Sequence, residues 1–274
     1  MSFKPNIINL HFIDFCNYNC SYCFVKKENK ILSLENIKTV IENISSYFIK
    51  NNLVGRINLV GGEIFLCSYL QEIIDYICKL NIEVSIVTNG SLIDEKFIIN
   101  NVGKIYTIGL SIDSLNENTN IKIGRCCKGK SITQDQLINI CKNIKKNGIK
   151  LKINHCISKF NYNENIASFI EVVEPDRFKV FQMTVVEGIN DLSKQNQISK
   201  EEFDFCCEKY KHLNPIIENE EEMSNSYLII DSLGDFYCDK KNKPLGNLLK
   251  DSFDDLVNNL EIDIKSFKKR YSVL

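Results

Sequence analysis

The sequence predicts an α/β fold in which six βα units place their parallel strands in a partial (βα)6 barrel, followed by a C-terminal extension. Three observations lead there. Short apolar runs alternate with longer stretches whose apolar residues recur at helical spacing. Several of those stretches open on Ser, Thr, Asp or Asn, and "KNG" and "NVG" put Gly where helices stop. The alternation continues to residue 213 with little chain between units, which argues a parallel sheet. An eight-unit barrel needs about 250 residues for its repeats alone, so six units suit this 274-residue chain better.

In order, strand "IINLHFI" (7–13) precedes helix "SLENIKTVIENISSYFIKNN" (33–52), and strand "RINLVGG" (56–62) precedes helix "CSYLQEIIDYICKL" (67–80). Strand "EVSIVTNG" (83–90) leads to helix "DEKFIINNVG" (94–103), and strand "KIYTIGLSID" (104–113) to helix "ITQDQLINICKNIKKNG" (132–148). The last two units are "IKLKINHCIS" (149–158) with "NENIASFIEVVE" (163–174), and "RFKVFQMTVVEG" (177–188) with "SKEEFDFCCEKYKHL" (199–213). Beyond residue 214 the pattern changes. "SYLIIDSLGDFYCD" reads as a hairpin turning at Leu233-Gly234, "LGNLLKDSFDDLVNNL" as a helix, and "FKKRYSVL" as a basic end. Residues 1–213 are therefore expected to form the barrel, and 214–274 an extension covering it and not an independent domain.

Composition narrows the function classes. The formal net charge is −1, so no global basic field points to nucleic acid or a membrane surface. "MSFKPNIINLHF" lacks the features of a secretory signal, and no run reaches the ~18 apolar residues of a membrane span. The expectation is a cytoplasmic protein, a monomer with no membrane or nucleic-acid partner. A reducing cytosol disfavours disulfides, so most of the twelve cysteines, such as Cys78 and Cys141, read as small buried hydrophobes.

Cys16, Cys20 and Cys23 are the exception, in a C-x3-C-x2-C loop directly after the first strand. Four ligands would close a tetrahedral zinc site, and here three residues cluster. Three thiolates can hold three irons of a cubane and leave the fourth iron open. A structural cluster would want a fourth cysteine, for which Cys67 and Cys238 remain alternatives.

Strands of a parallel sheet normally read as continuous Val, Ile and Leu. Three of these strands break that rule with one spacing: Arg56 and Asn58, Lys152 and Asn154, Arg177 and Lys179. Side chains two apart share a face. Either these are solvated strand ends, or the barrel interior is lined with cationic and carboxamide donors. Buried cations do not accumulate without an anionic partner, and such a lining suits a polyphosphate.

The loop, with Tyr22 before its third cysteine, resembles that of the radical S-adenosylmethionine (SAM) enzymes, whose fold is a partial TIM-like barrel. "GGE" (Gly61, Gly62, Glu63) stands where that superfamily holds the methionine amino group of SAM. By the same resemblance Tyr22, Asn89, Ser111 and Arg125 are SAM contacts. Within the superfamily the chain resembles the viperin family of nucleotide dehydratases through "NLHFIDFCNYNCSYCF", "INLVGGEIFL", "SIVTNGSLI", "LSIDS", "IGR", "KINHCISKFN", "RFKVFQMTVVEGIN" and "SYLIIDSLGDFYC", in order over roughly residues 7–240. The triphosphate-binding positions of that family fall on Arg56, Asn58, Lys152, Asn154, Arg177 and Lys179, and Asn9 matches a position near the substrate. Tyr271 matches its C-terminal tyrosine, across a gap. Departures are Val60 and Ile64, where SGGEP reads "VGGEI", Arg56 for a lysine, and the unusual "IGRCCKGK".

The resemblance implies a 4Fe-4S cluster on Cys16, Cys20 and Cys23, SAM at the open iron, and an electron donor such as a flavodoxin or ferredoxin. It further implies attack on the ribose C4′–H of a nucleoside triphosphate, CTP or else GTP or UTP. Loss of the 3′-hydroxyl then gives a 3′-deoxy-3′,4′-didehydro nucleotide, an antiviral chain terminator, with Tyr271 delivering the final hydrogen. Two other readings compete: a radical SAM enzyme for a peptide or RNA, and a non-catalytic iron–sulfur or zinc module.

Overall fold

The computed structural model describes residues 3–238 and 243–271, so Asp239 of the predicted hairpin and residues 272–274 of the basic end lie outside the described residues. Strands β1 (Ile7–Ile13), β2 (Arg56–Gly61), β3 (Glu83–Thr88), β4 (Ile105–Ser111), β5 (Lys150–Ile157), β6 (Arg177–Gln182) and β7 (Ile216–Glu218) run parallel in that spatial order. The hairpin of β8 (Ile229–Ile230) and β9 (Asp235–Tyr237) joins the same sheet, with β8 parallel to β1. β10 (Gly246–Asn247) closes that edge antiparallel to β9. The helices that follow the first six strands are α1 (Leu34–Lys50), α2 (Leu70–Lys79), α3 (Glu95–Asn100), α4 (Glu117–Ile123) with α5 (Gln134–Lys146), α6 (Ala167–Val173) and α7 (Lys200–Glu208). The extension adds α8 (Glu220–Met223), α9 (Phe253–Asn258) and α10 (Ile264–Tyr271). No helix among the described residues is long and apolar enough to cross a membrane.

All six predicted strands form, and four details differ. β6 stops at Gln182 and does not run to 188. α4 was not predicted: seven residues show little period, but Asn116 caps its N-terminus and left-handed Gly124 ends it. β7 and the joining of the hairpin to β1 are pairings between distant segments, which local pattern cannot reveal. The helix expected over 245–260 is broken, because the carboxylate of Asp251 accepts from the N–H of Asn247 in a turn and Ser252 caps a helix of only six residues.

Strand parity decides the two faces. Ile8, Leu10 and Phe12 of β1, Ile57 and Leu59 of β2, Val84 and Ile86 of β3, Ile108 and Leu110 of β4, and Leu151 and Ile153 of β5 are fully buried in one core with the helices. Each such side chain contributes about 1.5–3 kcal/mol. The opposite parity carries Asn9, Asn58, Ser85 and Thr107 in one register row, and Lys152 with Arg177 and Asn154 with Lys179 in adjoining rows. That is the face the sequence assigned to donors.

Candidate active site

The loop after β1 is held by the ends of its neighbours. Gly62 N donates to Ile13 O at 2.7 Å and Glu63 N to Phe15 O at 3.0 Å. The approach is so close that a Cβ on Gly62 would stand 1.9 Å from Phe15 O, which is the physical reason for "GG" here. Gly124 plays the same part on the other side: its φ is +85°, and a Cβ would meet Asn19 O at 2.2 Å.

Cys16, Cys20 and Cys23 are all half-buried. Burial pushes the Cys20 thiol up to about 11, against the pull of Arg125 and with Asp113, Cys23 and Cys16 adding to it. Cys16 is likewise raised, mainly by burial, while Tyr18 N (3.3 Å) and Asn89 Nδ2 (3.7 Å) donate to its sulfur. Among the described residues no three His, Cys, Asp or Glu side chains converge as one bound ion requires. Three thiols within electrostatic range but not converging on a point suit a multi-iron cluster, which gives each thiolate its own iron. The donor set and the glycine cradle therefore fit a cubane with one open iron. Cys67 and Cys238 are buried elsewhere, the latter donating to Glu261 O at 3.6 Å. Cys156 does lie near the triplet, but it packs beneath Tyr22 with Ile123 and Met183, and burial holds it protonated.

Under the loop sits a carboxylate that sequence reading passed over inside "LSIDS". Asp113 is 1% exposed. It accepts from Tyr22 Oη at 2.6 Å, from Arg125 Nε at 2.6 Å and from Cys156 N at 2.8 Å. Arg125 also donates to Ser111 O at 3.2 Å. Burial opposes the Arg125 charge, yet Asp113 leads the groups that hold its pKa well above the ordinary guanidinium value. Tyr22 is raised by burial and then by Asp113. Three predicted positions, Tyr22, Arg125 and Ser111, thus meet around one hub. The available signal was an Asp ending a strand at the face where barrel sites lie.

Glu63 is fully buried and accepts from Thr88 Oγ1 (2.7 Å), Asn89 N (2.9 Å) and Phe65 N (3.2 Å). Its side chain thereby ties β2 to the end of β3 and turns Asn89 toward Cys16. Ile64, where the family has proline, starts a short 3-10 turn and is buried.

Within the barrel, the cations gather as predicted but not all are free. Arg56 donates twice to Glu83 (2.9 and 2.8 Å) and lies 4.4 Å from the centroid of the Tyr106 ring. Lys179 pairs with Glu218 at 2.8 Å. Arg177 donates to the carbonyl of Arg270. Lys152 has no hydrogen bond or ion pair among the described residues; burial, Lys179, Arg177 and Arg56 push its ammonium down to about 7, against Glu218. Asn9 accepts from Asn58 Nδ2 at 2.9 Å and donates to Tyr271 Oη at 3.0 Å. Ser85 Oγ and Thr107 Oγ1 are buried in the same row with no hydrogen-bond partner among the described residues.

The extension supplies two residues that strand parity could not find, Glu218 on β7 and Arg270 on α10. Glu218 accepts from Lys179, Arg270 Nε (3.1 Å) and Tyr227 Oη (2.7 Å). Arg270, 2% exposed, lies 3.5 Å from the centroid of the Tyr227 ring and also donates to Ser226 O and Glu222 O. Five cations, Arg56, Lys152, Arg177, Lys179 and Arg270, face two carboxylates, Glu83 and Glu218. With every cation protonated, the described side chains of this interior therefore carry three more positive than negative charges.

Comparison with known proteins adds the following. The family model of the radical SAM superfamily matches residues 10–173. A Flammeovirga pacifica protein named S-adenosylmethionine-dependent nucleotide dehydratase is 33% identical over 242 residues, covering 84% of this chain and 81% of its own. Its namesake in Fibrobacter sp. (strain UWH6) is 28% identical over 300 residues, covering 99% and 89%. A dehydratase from Oncorhynchus mykiss is 30% identical over 285 residues, covering 98% and 80%. Among solved structures, Streptococcus suis SuiB bound to precursor peptide SuiA superposes with a TM-score of 0.72 at 17% identity, over 98% of this chain and 67% of SuiB. At that identity the likeness is one of fold.

Proposed function

The chain belongs to the radical SAM superfamily and, within it, to the SAM-dependent nucleotide dehydratases, enzymes of a 4Fe-4S cluster and SAM, and from there we propose that its substrate is a ribonucleoside triphosphate. CTP stands first, with GTP and UTP as alternates, and the product is the 3′-deoxy-3′,4′-didehydro nucleotide. The surplus of three positive charges inside the barrel carries this reading. A peptide, one alternative substrate, brings no phosphates to meet that surplus.

Cys16, Cys20 and Cys23 would hold the cluster, and Tyr22, Gly61, Gly62, Glu63, Asn89, Ser111 and Arg125 the SAM beside it. Bound together, cluster and SAM supply a hydrogen-abstracting radical. What the chain contributes is position, since such a radical must meet one C–H only. Lys152, Arg177 and Lys179 grip the triphosphate from adjacent strands, Asn58 and Asn154 donate beside them, and Arg56 adds charge from the strand start. Asn9, next to Asn58, orients the ribose and the Tyr271 phenol, which serves the closing hydrogen transfer.

In reconstituted, reduced protein each of the four triphosphates is tested for faster release of 5′-deoxyadenosine, with products identified by mass. Acceleration is expected with at least one, and Lys152→Ala or Arg177→Ala should weaken nucleotide binding with the cluster absorbance intact. If no triphosphate accelerates release, the reading is wrong.

A pH dependence follows from Lys152. Below about pH 7 its ammonium is charged before the nucleotide arrives. Above that, binding must take up a proton, so Kd should rise by up to about tenfold per pH unit. Titration calorimetry across pH 7–8 reads the slope, and Lys152→Met should flatten it there, while Lys179, held down to about 8, adds its own proton uptake above that. In the apo protein the sign reverses: the unfolded chain binds the extra proton, so stability should grow as pH rises from about 7 toward the ordinary lysine value.

A further inference from the structure

We propose that the outer face of the cysteine loop is the docking surface for an acidic one-electron carrier protein, an inference that rests on the cluster assignment above. Two segments clasp the loop from outside. Asn19 and Ser21 donate their N–H groups to Gly124 O and Ile123 O at 3.0 and 2.8 Å, and Ser193 Oγ donates to Ser21 O. Each clasping segment then leaves a large apolar side chain in solvent: Ile121 on α4 is 40% exposed, and Leu192, beside Ser193, is 90% exposed. Large apolar side chains left in solvent on both segments that clasp one loop mark that side as a contact surface.

The rim is basic. Lys122, Lys128 and Lys130 are all exposed, and none has an ion-pair partner among the described residues. The last two lie in a tight turn closed by the Cys127–Lys130 bridge, two residues beyond Arg125. Of the nearby carboxylates, Glu28 is engaged by Lys26 and Lys30, and Asp191 by Lys194 at 3.6 Å; Glu117 and Glu187 remain. This local excess stands out in a chain of net charge −1. The reaction draws an electron from outside the site, and transfer weakens steeply with distance, so the carrier must sit against the loop. Small, charge-steered contacts of this kind are typical of transient redox encounters.

The test is binding of an oxidised flavodoxin, an acidic carrier, to the cluster-loaded protein by calorimetry at low salt. Lys122→Glu/Lys128→Glu/Lys130→Glu should weaken it by about tenfold or more, and added salt should weaken the parent in the same way. SAM cleavage driven by dithionite should be unchanged. Unaltered flavodoxin binding by the variant overturns the proposal, as does a parent that ignores flavodoxin and binds anionic lipid vesicles. Failure of any triphosphate to support dithionite-driven turnover counts against the function proposed above, and the flavodoxin titration still reads the surface independently.

Discussion

Glu218→Ala is expected to remove about 3–5 kcal/mol of folding stability, a large share of what a single domain possesses. The carboxylate is 1% exposed and is the shared counter-ion of Lys179 and Arg270, so deletion strands two buried cations at once. It also leaves Tyr227 Oη without its acceptor. Because Arg270 lies on α10 and Lys179 on β6, the loss should fall on the attachment of the C-terminal helix to the barrel before it reaches the strands. Burial opposes the Glu218 charge, but Lys179 and Arg270 hold its carboxyl down at about 2. The unfolded carboxyl titrates near 4.5. A depressed carboxylate contributes stability that is complete above the unfolded value and fades as pH falls toward the folded one. The parent should therefore lose stability between about pH 4.5 and 2 with a proton-linked slope that Glu218→Ala lacks. Urea denaturation at pH 7 and at pH 3 measures both; a variant within 1 kcal/mol of the parent at pH 7 would falsify the assignment.

What the sequence could and could not disclose follows from the range of the interactions. Strand parity is local, so Arg56, Asn58, Lys152, Asn154, Arg177 and Lys179 were legible from spacing alone, and the register brings them to one face. The cysteine triplet was legible for the same reason. Partners brought from far along the chain were not. Glu218 meets Lys179 because β7 pairs with β6, and Arg270 arrives on a helix that carries no periodic signal of its purpose. The two also change the meaning of the lining. A row of unpaired donors would be costly to bury; one shared carboxylate and a second on Arg56 make it tolerable, while leaving a surplus for a guest.

The second hub works by the same logic at the other end of the barrel. Asp113→Asn should keep the shape of the site while removing the charge that holds Arg125; an amide oxygen in place of Oδ2 still accepts from Tyr22 and Arg125, with the amide nitrogen turned toward the Cys156 N–H. The expected result is iron content close to the parent and SAM affinity weakened by about 10–100-fold, the usual cost of losing a group that orients ligands. Arg125 would keep a buried charge with a neutral partner, and its Nε–H could still reach the amide oxygen, so the loop should hold. Asp113→Ala removes both. The Cys156 N–H and Tyr22 Oη then lose their acceptor in a site closed to water, and the loop that carries Cys20 and Cys23 loses its floor. That variant should lose iron as well as SAM binding. Iron and sulfide analysis with SAM titration separates the outcomes. If Asp113→Asn binds SAM as tightly as the parent, Arg125 is oriented by Ser111 O and the packing of Gly124 instead. A substitution at Tyr22 discriminates further: Tyr22→Phe deletes one of the donors to Asp113 and leaves Arg125 paired, so its SAM affinity should stay within a few-fold of the parent.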